Sequence, residues 1–473
     1  MKRIATTALA LALVTGCGTV RDAREAQAEL EEKGRDVAPA ACGKVDLRRH
    51  SLEDLVAFAM TNRASMISAR LAVEDARLNL RTIAADAPIL SDTPWTAPKL
   101  SISGGYSESS PGTTFNGGVW RTEGGPSAAV SLDLLVYDFG RYGARAKEGA
   151  ERVVAAELAL VNAGYQVFSD VAVAYFDFFE RRALLEVALT NELQYAEHLG
   201  QAQARYDAGE ANQLDVLKAR LDLSRARQTA VSVSNEVATS GAALMYALGV
   251  DASRGTSDEA FGTDSVGVDS VRRGFAMTTV GVDAAYAVAL TNAPSVRATR
   301  ARLRAASHAV DYAVADLMPT VSASLALNWS DPLWYWKWGL SGVQSLFQGF
   351  RKTTAVDRAV VAMRQAAADV EIAERELSVR LETAIAGRDN SRSALASAVA
   401  SMKSARENLD IVREQLNVGG ASRIDLSDAI AGHSQALGDT ITAFYDGQRA
   451  EARLFAILGA YPVYREEIVK GKE

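Results

Sequence analysis

Two short stretches hold most of the side chains in this sequence that could act together. YDAGEANQLD ends at Asp215, and LNVGGASRID ends at Asp425 with Asp428 three residues beyond. Carboxylates at i and i+3 share one face of a helix. Read locally, Asp425 is a helix-start residue favoured by the helix dipole, and Asp428 is a solvated charge. The other reading, clustered like charges that draw cations and repel anions, stays open at this level. No catalytic constellation competes with either. The histidines His50, His198, His308 and His433 lie far apart without metal-ligand spacing. No GxSxG elbow, phosphate loop or dinucleotide fingerprint occurs, so neither an enzyme nor a cofactor or metal site is expected. A formal charge of −7 argues against nucleic acid as a partner.

The remaining reactive groups are thiols. Lys2 and Arg3 precede an apolar run from Ile4 to Val14 and then small residues, a secretory signal too short to span a bilayer. Leu13-Val14-Thr15-Gly16-Cys17 resembles the bacterial lipobox, whose cysteine takes up lipid and becomes the first mature residue. The alternative is an ordinary signal peptide cleaved after a small residue. Each buried CH₂ of an acyl chain contributes about 0.8 kcal/mol, so a multiply acylated Cys17 would anchor firmly. Gly18, in place of the Asp that favours inner-membrane retention, implies the outer membrane. Cys42 is the only other thiol. With Cys17 lipidated it is either inert or available for an intermolecular disulfide.

The elements that must position these residues come in two copies at one offset. Asp425 and Asp215 are 425 − 215 = 210 apart, Arg351 in SLFQGFR and Arg141 in LVYDFGR are 351 − 141 = 210 apart, and Leu248-Gly249 recurs as Leu458-Gly459. An Ala-rich chain of 473 residues with only 10 prolines favours helix. Ser51 and Asp54 cap a helix predicted from Ser51 to Asp86, stopped by Pro88; its counterpart runs from Asp283 to Leu317, stopped by Pro319. Period-two alternation follows both. Val321, Ala323, Leu325, Leu327 and Trp329 alternate with mostly small polar residues, and Trp334, Trp336, Trp338 and Leu340 alternate with Tyr335, Lys337, Gly339 and Ser341. Leu100, Ile102, Tyr106, Val130, Leu132 and Leu134 mark the matching strands of the first copy. Four strands make a small core for a soluble domain of this length. Apolar-out, polar-in alternation with clustered Trp fits a transmembrane β-barrel better, and four strands cannot close one without further copies of the chain.

Past Arg141 and Arg351 a four–three spacing sets in. From Val356 it passes Val360, Met363, Ala367, Val370, Leu377, Leu381 and Ala384 and continues to Leu416, broken at Glu374, Arg388 and Ser391. This is a coiled-coil seam. A helix from Arg351 to Leu416 would be roughly 100 Å long, more than a globular core needs. Gly209 and Gly419 are placed to end the long helices, and the return helices then run to Gly249 and Gly459.

With VYDFGR and LFQGFR at the strand-to-helix junctions, YDAGEANQLDVLKAR and LNVGGASRIDLSDA at the turns, both LG endings and the lipobox, the chain resembles the TolC family of outer-membrane channels over about residues 51–460, in its lipoprotein branch. The resemblance implies a mainly α fold with a β-barrel portion, built from duplicated helix–β-hairpin–long helix–helix repeats. Three chains would supply a twelve-stranded barrel in the outer membrane and a twelve-helix α-barrel across the periplasm. It also implies a passive export conduit partnered by a periplasmic adaptor and an inner-membrane transporter. The expected layout is a signal peptide at 1–16, a lipidated segment at 17–50, repeat 1 at 51–249, a polar connector at 250–282, repeat 2 at 283–459 and a tail at 460–473. Membrane hairpins are expected at about 98–138 and 319–347, and helical tips at about 206–216 and 416–426. By the same resemblance Asp425 and Asp428 form a pore constriction. Asp215 matches a gate residue, but its usual partners are replaced by Leu416 and Ala421, leaving Arg423 as a substitute contact. A secreted or periplasmic coiled-coil scaffold without a pore is the competing reading.

Overall fold

A computed structural model of the chain describes residues 23–28 in part, 51–89, 99–107, 125–209, 212–250, 289–330, 333–345, 347–418 and 420–459. Cys17, Cys42, Asp283, Gly419, the Arg423 side chain, nearly all of the 250–282 connector and the 460–473 tail lie outside the described residues. The elements run α1 Leu52–Asn62, α2 Ala64–Ala84, β1 Lys99–Ser107, β2 Gly125–Tyr137, α3 Arg141–Asp207, α4 Gln213–Leu248, α5 Pro294–Ala315, β3 Thr320–Ser330, β4 Leu333–Val343, α6 Arg351–Asn417 and α7 Arg423–Leu458. The bounds of α3 and α4 become those of α6 and α7 on adding 210. Both long helices have 67 residues, about 100 Å at 1.5 Å per residue.

The first helix of each repeat is not continuous as expected. A capping box of Ser51 and Asp54 starts α1, but Arg63 at φ −69°, ψ 129° separates it from α2. In the second repeat residues 289–292 are helical and Ala293, at ψ 116°, interrupts before Pro294 opens α5. A residue before proline avoids the α region, which explains the second break. The first has a packing cause: Gly249, the left-handed cap of α4, sits so close that a Cβ there would lie 3.1 Å from the Arg63 Cα.

The four strands form one antiparallel sheet in sequence order. Registration sorts its faces. Leu100, Leu132, Leu325 and Trp338 lie side by side across the sheet, as do Ile102, Val130, Leu327 and Trp336. On the other face Ser101, Ser131, Ala326 and Lys337 align. The apolar rows stay exposed, Trp338 to 70% and Leu100 to 56%. An 11-residue strand tilted by about 40° stands roughly 28 Å tall, the height of a bilayer's hydrocarbon layer. Aromatic residues mark both ends: Trp329 and Trp334 where β3 turns into β4, and the Tyr137–Phe139 and Phe347–Phe350 ring pairs at the helix junctions. Among the described residues no helix is long and apolar enough to cross a membrane.

Each junction turns the chain from strand to helix through two left-handed residues. These are Phe139 and Gly140 in the first repeat and Gly349 and Phe350 in the second. The order of Phe and Gly is reversed between copies, but in each a glycine takes one of the two costly conformations. Asp138 secures the first junction by accepting from the backbone N–H of Gly140 and Tyr142. Arg141 reaches Asp316 at the end of α5, 2.6 Å away, and so ties the repeats together below the sheet.

Away from the sheet the helices stand side by side. Near the strands the order is α2–α3–α5–α6, and towards the tips it is α4–α3–α7–α6. Helix α3 is flanked on both sides along its length and buries residues on several faces, including Phe168, Val171, Phe176 and Phe178. Among the described helices, α6 touches α5 and α7 and no other. Its sheltered stripe includes Leu377, Leu381 and Leu409, and Arg388 lies on the same stripe although its charge interrupts the sequence pattern; Ala367 is exposed instead. Mid-wall, Leu55, Phe168, Leu244, Leu248 and Ala452 bring α1, α3, α4 and α7 into one core.

Candidate functional site

The tips are built by local capping. Helix α3 stops at Asp207, and Gly209 follows at φ +78°. Asp215 is half-buried in the first turn of α4, its N–H donating to the Asn212 carbonyl at 3.0 Å. Ser422 caps α7. Its Oγ accepts from the Asp425 N–H at 3.2 Å, and its own N–H donates to Asp425 Oδ2 at 2.8 Å. Hydrogen bonds from the Ser422 side chain and backbone hold the Asp425 carboxyl below its ordinary pKa. Asp425 therefore acts as a helix-start residue within the chain, with its carboxylate exposed.

Asp428 is exposed one turn on and faces the groove between the two hairpins. The groove, about 640 Å³, lies between α3, α4 and α7 and includes Tyr195, Asp222, Ser427 and Asp428. Ser427 donates to Asp222 Oδ2 at 3.3 Å, and the Tyr195 hydroxyl is hydrogen-bonded to Ser427. Burial pushes the Tyr195 phenol up, with Asp222 and Asp428 adding to the rise. Nearer the middle, Ser434 bonds Asn191 Oδ1 at 2.5 Å. These polar bridges join the first hairpin to the second, and residue patterns did not reveal them. The one trace is that Ser427 stands where the first repeat has Leu217, since 427 − 210 = 217. Further up, Arg449 of α7 bonds Glu180 at 2.5 Å and Asp446 at 2.7 Å and lies 3.5 Å from Asp177, binding α7 to α3. Among the described residues no group of three or more His, Cys, Asp or Glu is placed to hold a metal.

An amphipathic membrane sheet carried on long, duplicated helices defines a class, and the sequence matches it. Residues 59–250 and 285–460 match the family model described as outer membrane efflux protein, and the chain belongs to that family. It is an outer-membrane conduit for efflux whose helices extend into the periplasm, and not an enzyme; the pore-less scaffold falls away. Among individual proteins it is similar to the outer membrane efflux protein BepC of Brucella suis biovar 1 (strain 1330), with 22% identity over 318 residues, 66% of each chain. Its fold matches the crystal structure of a membrane protein from Pseudomonas aeruginosa at TM-score 0.74 and 20% identity, covering 88% of this chain and 91% of that one. It also matches the outer membrane protein VceC from Vibrio cholerae at TM-score 0.71 and 16% identity, covering 86% and 96%.

Proposed function

We propose that three copies of this chain close into one channel that passes substrate from an inner-membrane transporter and a periplasmic adaptor to the outside. The observation that carries this is the sheet: among the described residues it has four strands, an exposed apolar face and two unpaired edges, β1 and β4. Closure through copies of itself gives the sheet a lipid-facing band and removes both edges. The helical wall supports the same closure. Its margins expose apolar side chains, Ile67, Leu71 and Leu78 on α2 and Val361, Ile372 and Val379 on α6.

On this reading Asp425 and Asp428 of three chains converge at the periplasmic mouth as a cation-attracting constriction, with Asp215 and Arg423 as gate contacts between hairpins. Cys17 carries lipid. Mobility as an SDS-resistant trimer, together with fractionation into the outer membrane, tests the assembly; a monomer in the soluble fraction overturns it. A trivalent cation added from the periplasmic side should block planar-bilayer conductance in wild type and not in Asp425→Ala/Asp428→Ala. Equal block in both places the constriction elsewhere. Labelling with a palmitate analogue should mark wild type and not Cys17→Ser.

A further inference from the structure

On the sheet face opposite the leucine and tryptophan rows the side chains are mostly small, as at Ser103, Ala129, Ser131, Ser324 and Ala326. Charged residues on that face, among those described, are Lys99, Asp133 and Lys337. Lys99 is neutralised, with its Nζ 2.9 Å from Asp86 Oδ1 and Asp133 registered opposite it. Lys337 is different. It lies near the middle of β4 with the methyl of Ala326 opposite, it is exposed, and no carboxylate among the described residues is within ion-pair distance of it.

We infer that Lys337 of three chains forms a cationic ring halfway up the β-barrel, and that this ring makes the membrane stretch of the channel favour anionic solutes. The inference rests on the trimer reading above. Twelve strands about 4.8 Å apart and tilted by about 40° enclose a barrel of roughly 12 Å radius at the backbone. A lysine reaching about 6 Å inwards leaves three ammonium groups about 10 Å apart, which matches the screening length of roughly 8–10 Å at moderate salt. The ring's potential therefore reaches the axis, and with Ala326 opposite and Gly339 beside it on the strand, away from the Tyr335 side, the cation is free to meet a passing solute. Rings of lysine or arginine select anions, as rings of carboxylates select cations. The sign is opposite to that of the Asp425 and Asp428 mouth.

The test is the reversal potential of full-length trimers in planar bilayers under a KCl gradient. Using Asp425→Ala/Asp428→Ala as background removes the proposed acidic mouth from the measurement. The K⁺ to Cl⁻ permeability ratio should rise about two-fold or more on Lys337→Gln and further on Lys337→Glu, while Lys337→Arg leaves it unchanged. The differences should shrink at 1 M salt, where screening falls to about 3 Å. An unchanged ratio in conducting trimers of the Gln variant overturns the ring and leaves the trimer standing. A wild type that neither trimerises nor conducts overturns the assembly and the ring with it. Should the Glu variant not assemble, the neutral Gln variant alone decides.

Discussion

Asp425 combines a structural role with its proposed one. Its Oδ2 is engaged by the Ser422 N–H, so the carboxylate that would face the pore also fixes the first turn of α7. Ser422→Ala removes the acceptor for the Asp425 N–H and should cost about 1 kcal/mol, read as faster amide exchange in that turn. The acid limb follows from the sign of the shift. Because capping lowers the Asp425 pKa from 3.8, its stabilisation is complete above that value and is lost as pH falls through the lower folded one. Like charges converging in a trimer act the other way and ease protonation. Cation block that weakens at a higher pH than the cap is lost would therefore separate the ring from the cap. The positions of Asp425 and Asp428 were legible because the repeat locates the turn. The Tyr195–Ser427–Asp222 bridge was not, because it depends on α3 lying beside α7, and no local spacing encodes that adjacency.

The two long hairpins share a length and a phase but are fastened differently. Where the first has Phe178 and Gly241, both buried, the second has Arg388 and Glu451, since 388 − 210 = 178 and 451 − 210 = 241. Glu451 is fully buried, and neither carboxylate oxygen has a hydrogen-bond partner among the described residues. Burial pushes its pKa up against the pull of Arg388 and Arg392, with Asp389 adding a smaller rise. A raised carboxyl pKa costs stability at neutral pH and releases it as pH falls through the raised value, so α6 and α7 should pack more firmly on mild acidification. Transplanting the first repeat's pair, Arg388→Phe with Glu451→Gly, removes the unpartnered buried carboxylate and should be neutral or stabilising by about 1–3 kcal/mol in denaturant unfolding of the detergent-solubilised protein. In the sheet, Leu325→Arg should cost about 2–4 kcal/mol if it sits at mid-bilayer and reduce the yield of assembled channel, while Ser324→Arg is tolerated; the reverse would invert the faces. Strands, seams and turns were readable because period two, the four–three spacing and glycine each leave a sequence mark. The break at Arg63 left none, since its cause is Gly249, far along the chain and pressed against it.

At the scale of the molecule the duplication is a symmetry that the wall does not keep. Helix α3 sits inside and α6 sits at the margin, although they occupy the same place in their repeats. The difference is absent from the repeat pattern because it arises from which neighbour closes the wall. A charge at the α6 margin, Val379→Glu, should lower trimer yield without loss of helical circular dichroism, because Val379 is exposed in the single chain. The free edges of β1 and β4 constrain how the channel comes into being. Each carries a row of backbone N–H and C=O groups with no strand partner among the described residues, and each such group left bare in lipid costs several kcal/mol. On the trimer reading a solitary chain is thus barred from the bilayer, and three must meet before any one crosses. The rate of insertion should accordingly climb much faster than linearly with chain concentration, towards the cube when encounters limit it. A modest shortfall in synthesis would then silence the channel out of all proportion.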